Sequence, residues 1–148
     1  MKKNFLIPLI ISIFLGFLSA QIVYSTYRKN LENSSYNAYL IQVGSYNNKE
    51  EVESTFSDSD EYLVVEEEDK YNVYAGITTD LINANKIKNL YEKKNISAYI
   101  KPTVIDNVEF VSNLEQYDIL ISEVDSEENI ISISDVILSS YKEMVLGK

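Results

Sequence analysis

Tyr39-Leu40-Ile41-Gln42-Val43-Gly44-Ser45-Tyr46 and Tyr71-Asn72-Val73-Tyr74-Ala75-Gly76-Ile77-Thr78 read as one pattern written twice. In each, an alternating stretch runs to a glycine and a polar, helix-prone segment follows, over 48–56 after the first and 80–93 after the second. Self-similarity of this kind decides architecture before any single residue does. Two copies are too few for a solenoid and predict one small domain built from two βαβ-like halves.

The connecting residues complete the reading. Asn48 followed by Glu51 has the form of a capping box, and Asp80 is placed to cap the second helix. Val52 and Phe56 share one helix face, as do Ala84, Ile87, Leu90 and Tyr91. Residues 62–65 form a second strand, and the acidic run 66–69 joins it tightly to the third, so these two strands are antiparallel neighbours. Residues 96–105 form the last strand, which Pro102 confines to an edge or ends. The order β-α-β-β-α-β over 38–104 predicts an α+β fold, a four-stranded antiparallel sheet with both helices on one face, ferredoxin-like or RNP-like. Tyr39, Ile41, Val43 and Val73 then belong to the core. The opposite face is expected to be uncovered and to carry the function.

Outward from this domain, residues 5–24 are almost unbroken apolar sequence without a charge. About 20 such residues cross a bilayer core as a helix. Lys2 and Lys3 precede the run, and Tyr24 and Tyr27 stand where an interfacial aromatic belt would lie. The expectation is a signal anchor over 5–25, with residues 1–4 cytoplasmic and the rest of the chain extracytoplasmic. A signal peptide cleaved near Ala20 and a buried core helix are the competing readings. Residues 26–37 are polar and read as a tether. Beyond the domain, residues 105–148 read as a helical hairpin. Phe110, Leu114, Tyr117, Ile121 and Val124 make one stripe, Asp125 with Glu128 restarts the helix, and Ile130, Ile133, Ile137, Tyr141 and Met144 make a second. Its apolar faces either pack onto the domain or dock an envelope protein through 106–148.

Composition narrows the chemistry. The 148 residues carry a formal charge of −10, and with Lys2 and Lys3 set aside the remainder is more acidic still. Such a chain repels nucleic acid, whose binding rests on lysine and arginine displacing counterions. There is no cysteine and no histidine, so thiolate sites and the commonest general base are excluded. No nucleophile is paired with a base. The expectation is a binding protein, not an enzyme, with no metal and no cofactor.

Ile41-Gln42-Val43-Gly44-Ser45-Tyr46, followed by Asn48-Lys49-Glu50, resembles the opening signature of the SPOR (sporulation-related repeat) domain. Tyr71-x-Val73-x-Ala75-Gly76, its helix with Ala84 and Leu90, and Ile96-Ser97-Ala98-Tyr99-Ile100 resemble the second repeat. The resemblance covers about 37–102. It implies binding of peptidoglycan glycan strands, in particular septal strands stripped of stem peptides, and with it localisation to division or sporulation septa. It also implies that the ligand lies on the open sheet face. There it points to Leu40 and Gln42 from the first strand, Ser45 at the strand end, and Lys70, Asn72 and Tyr74 from the third. Tyr99 and Lys101 join them where strand parity allows. Glutamine offers a donor and an acceptor to sugar hydroxyls, tyrosine a flat face to a pyranose ring, and lysine a partner for a muramic carboxylate.

Overall fold

Strand β1, Tyr36–Tyr46, is the axis of the sheet and is paired on both sides. The structure, a computed structural model, describes residues 35–56 and 61–147 together with Ala20 and Val23. The expected anchor and all but the end of the expected tether lie outside this set, apart from those two residues. Among the described residues no helix is long and apolar enough to cross a membrane. The end of the expected tether is strand instead. Tyr36 and Asn37 already pair with Ile105 and Val104, so the strand begins two residues before Ala38.

The remaining elements follow as β2 (Leu63–Glu67), β3 (Lys70–Thr78) and β4 (Tyr99–Ile105), with α1 (Lys49–Thr55) after β1 and α2 (Leu81–Lys93) after β3. The sheet order is β2-β3-β1-β4, antiparallel throughout. Local signals place the helices. Asn48 accepts from the Glu51 backbone N–H at 2.9 Å and donates to its carboxylate at 3.1 Å, a capping box closed through both side chains. The Asp80 carboxylate accepts from Ile82 and Asn83 backbone N–H groups. At the other end of α2, Asn95 takes the left-handed conformation (φ 62°), and Asn95 and Ile96 donate back to the Glu92 and Tyr91 carbonyls, a Schellman ending.

α1 and α2 cover one face, where Ile87 stands against Gly76 and Ile41. The other face is not open as expected. Residues 73–78 of β3 are all buried, although successive side chains there point to opposite sides. Leu40, Leu63, Val65, Tyr74 and Ile77, which face away from α1 and α2, are buried as well. Their cover is the C-terminal hairpin, α3 (Val108–Glu123) and α4 (Glu127–Met144), with α4 lying on β3 and β2. The sheet is therefore sandwiched over much of its area. An apolar run on both faces of a central strand requires this, since an uncovered second face would leave Tyr74 and Ile77 in water. Removing five such side chains from water contributes on the order of 10 kcal/mol, comparable to the whole stability of a domain. Ser35 to Lys148 accordingly forms one compact unit.

Polar ties hold the hairpin in register. Asp118 on α3, 7% exposed, accepts from the hydroxyls of Thr78 and Thr79 (2.7 Å for the latter) and from the Thr79 backbone N–H at 2.8 Å. Asn83 donates to the Asp118 backbone carbonyl at 2.8 Å. Lys86 on α2 donates to the Ile121 and Val124 carbonyls, satisfying acceptors orphaned at the end of α3. Asn107 caps α3 and donates to the Met144 carbonyl at the end of α4. One expected cap is displaced. α4 begins after Ser126, which makes no side-chain cap bond, and Asp125 stands instead 3.6 Å from Lys86.

Two outcomes test this account. Asp118→Ala strands the Thr78 and Thr79 donors and is expected to lower stability to urea unfolding by about 2–4 kcal/mol; a loss under about 1 kcal/mol would mean the tie does not hold the hairpin. In the β2–β3 turn, Glu68 and Asp69 have φ of 50° and 61°, a pair of left-handed residues that two-residue hairpins ordinarily give to Asn-Gly. Glu68→Asn with Asp69→Gly is expected to raise stability by roughly 1 kcal/mol in the same melts.

Candidate functional site

The hairpin leaves one end of the second sheet face in contact with water, and pairing register decides what stands there. Gln42 lies opposite Tyr74 on β3 and opposite Tyr99 on β4. Register shifts follow on both sides of Gln42 in the β1–β3 ladder, so that Gly44 rather than Val43 pairs with Val73. A bulge of this kind changes which face the next side chain takes. Ser45 thus comes opposite Asn72, on the side of Gln42. Tyr46 turns to the helix side, where its ring stands 6.0 Å from Phe56 and lies over the hydrogens of Gly44. A side chain at Gly44 would collide with that ring.

On the open end, five side chains form a continuous network. The Glu67 carboxylate accepts from Asn72 at 3.0 Å, Lys101 at 3.1 Å and the Tyr74 hydroxyl at 3.3 Å, all on one oxygen. Lys101 also donates to the Tyr74 hydroxyl at 2.9 Å and lies 5.5 Å from the centre of its ring. Gln42 donates to the Asn72 side-chain oxygen and to the Gly44 carbonyl, both at 3.3 Å. The side chains of Glu67 and Lys101 are 43% and 42% exposed, so the network reaches solvent. Tyr99 stands beside it, 68% exposed.

The charges are tuned by these contacts. Burial works against the Glu67 carboxylate, but hydrogen bonds from Lys101 and Asn72, with the Lys101 charge and the Tyr74 hydroxyl, outweigh it and hold the carboxyl below the ordinary glutamate range. Lys101 is raised, first by its hydrogen bond to Tyr74 and, against partial desolvation, by Glu67. Burial leads the upward shift of Tyr74.

The residues expected at the site divide. Gln42 and Asn72 are joined directly, Ser45 is exposed opposite Asn72, and Lys70 is exposed at the start of β3 opposite Glu67. Leu40 and Tyr74 do not present a surface. Leu40 is 4% exposed and Tyr74 1%, both taken into the core by the hairpin, and only the Tyr74 hydroxyl enters the network. Glu67 is the residue that sequence reasoning missed, absorbed into the acidic connection 66–69. The alternation Leu63, Val65, Glu67 places it on the Tyr74 side and was the available signal. The aromatic side chains Tyr46, Phe56 and Tyr62 meet on the helix side instead, in a cleft of about 430 Å³ whose lining, among the described residues, carries no charged side chain. Among the described residues no cluster of three or more acidic side chains is arranged to hold a metal ion.

No family model matches the chain, and no curated protein matches it. Among solved structures it is similar to the solution structure of the peptidoglycan binding domain of the B. subtilis cell wall lytic enzyme CwlC. The two share 21% sequence identity with a TM-score of 0.42, over 48% of this chain and 95% of that one. Neither the identity nor the score carries that domain's ligand over to this chain.

The network makes its own prediction. In an NMR titration the Glu67 carboxyl should titrate below the ordinary value of 4.5, and Lys101→Ala should move it up. Because the folded value is depressed, the stability this group contributes is present above the unfolded glutamate pKa and lost as pH falls through the folded one. An unmoved Glu67 signal in Lys101→Ala would remove the lysine from the account.

Proposed function

We propose that this chain is a non-catalytic, extracytoplasmic protein that binds the glycan strands of peptidoglycan through the open end of its sheet. In this reading residues 5–25 anchor it to the membrane, and stem-peptide-stripped glycan draws it to division or sporulation septa. The observation that supports the reading most is the convergence of Gln42, Ser45, Asn72, Glu67 and Lys101 beside the exposed ring of Tyr99. Hydrogen-bonding groups in a fixed array next to a flat apolar ring suit a pyranose, which has hydroxyls around its rim and C–H groups on its face. Gln42 and Ser45 of this array lie on the strand that carries the Gln-x-Gly-Ser-Tyr resemblance. Tyr99 takes the stacking role that the sequence suggested for Tyr74, whose ring is buried.

A protein-docking hairpin is the second reading. The inward stripes of α3 and α4 are spent on the sheet and on each other, as in the 5.5 Å approach of the Phe110 and Tyr141 rings. What they leave outward, Ile119, Leu120 and Val136, is the surface on which that reading would have to rest.

Co-sedimentation of the whole chain with purified sacculi tests the proposal. Binding should rise after amidase treatment, and Tyr99→Ala and Gln42→Ala should each weaken it about fivefold to tenfold. Wild-type sedimentation by the double variant, or no sedimentation at all, would exclude the glycan reading.

A further inference from the structure

The open end of the sheet has two chemically different sides. On one, Glu67 as an ionised carboxylate only accepts hydrogen bonds. Asn72 therefore gives its NH2 to Glu67 and its oxygen to Gln42, which answers with its own NH2. The Gln42 carbonyl oxygen accepts no hydrogen bond from the described residues, and Gln42 lies opposite Tyr99 with its exposed ring. On the other side stands Lys70, exposed and on the same strand face as Asn72 and Tyr74. The two lysines of this face are not equivalent. Lys101 is engaged, 3.1 Å from Glu67 and 2.9 Å from the Tyr74 hydroxyl. Lys70 forms no ion pair with any described residue. Its cross-strand partner is Glu67, whose carboxylate is already taken by Lys101, Asn72 and Tyr74. Glu68 and Asp69 in the adjoining turn are exposed, and they weaken the field of Lys70 without pairing with it.

Register sets the distance between the two sides. Tyr99 is level with Gln42 and Tyr74, two strand spacings from β3, and Lys70 lies four residues along from Tyr74. The Cα positions of Tyr99 and Lys70 are thus about 16 Å apart. The flexible four-carbon stem of lysine takes up several ångströms of this, which leaves the span of neighbouring sugar units on one strand.

We propose that Lys70 is the residue by which the site reads removal of the stem peptide. It meets the lactyl carboxylate of a muramic unit, while a neighbouring unit stacks on Tyr99 and donates a hydroxyl or acetamido N–H to Gln42. This rests on the glycan reading above and deepens it by naming the group that is read. A stem peptide is joined to that carboxyl through a neutral amide, and its hydrolysis leaves a carboxylate on the sugar. Only the carboxylate is attracted by charge to the lysine ammonium.

The test uses the whole chain and two soluble probes with the same sugars. One is the alternating N-acetylglucosamine–N-acetylmuramic acid tetrasaccharide with free carboxylates, the other the same tetrasaccharide with those carboxyls capped as methylamides. Wild type is expected to bind the free acid about threefold tighter at low salt, the scale of an exposed ion pair. In about 1 M salt that ratio should fall toward one. Lys70→Gln should bring it to one at low salt, and Lys70→Arg should keep it. Glu68→Asn with Asp69→Gly, which removes the acids beside Lys70, should raise it. A wild-type ratio of one, or a preference that survives Lys70→Gln, overturns the role given to Lys70 while leaving glycan binding standing. Failure of wild type to bind either probe, or sacculi, overturns both.

Discussion

Burial of β3 on both of its faces is the constraint from which the rest follows. Val73 to Thr78 carries apolar side chains on each side of the strand, and none of the six reaches water. Two helices alone satisfy half of that demand. The second half requires another layer, and the chain supplies it after β4, where α3 and α4 return to the sheet. Asp118, Lys86 and Asn107 then do what apolar contact cannot, because hydrophobic burial is non-directional and hydrogen bonds fix one register of the hairpin.

Much of this was legible in the sequence, and the reason lies in local rules. Asn48 with Glu51 and Asp80 specify helix starts by chemistry confined to a single turn, and the two repeats specify strands by alternation. The misreadings arise where the answer depends on a distant partner. Leu40 and Tyr74 alternate correctly onto the second face, and parity alone assigns them to a ligand. Only the return of the hairpin tens of residues later turns them into core. Asp125 has a good local claim to cap α4, but Lys86 lies within reach from another element. Glu67 is hard to single out for the same reason. Its neighbours 66, 68 and 69 are solvated acids, and the partner that distinguishes it, Lys101, is on a different strand.

The same hairpin that removes Tyr74 from the surface also gives the site its rigidity. With its ring in the core, the Tyr74 hydroxyl is a fixed point to which Glu67 and Lys101 both bond. An exposed Glu67–Lys101 pair on a bare sheet would contribute little and reorient freely. Anchored through a buried tyrosine, and extended through Asn72 to Gln42, it becomes an array whose geometry exists before any ligand arrives. Preorganised groups lose less freedom on binding than mobile ones, which matters for sugars, whose own hydrogen bonds to water are nearly as good as those a protein offers.

Length adds a last step. A bare four-stranded face would offer a ligand the whole sheet, from Tyr36 to Tyr46 along β1. Here the part around Ala38, Leu40 and Ile77 is closed, and the polar end from Gln42 to Ser45 stays open. On the glycan reading proposed above, few sugar units can lie flat on so short a platform, so affinity has to come from the direction of the hydrogen bonds and from one aromatic contact, not from extended surface. Selectivity then resides in the polarity of the array. A polymer with many equivalent units compensates for a small site, because adjacent units and neighbouring copies of the protein raise the effective concentration at each contact. A small, directional site of this kind is suited to telling one chemical variant from many similar ones.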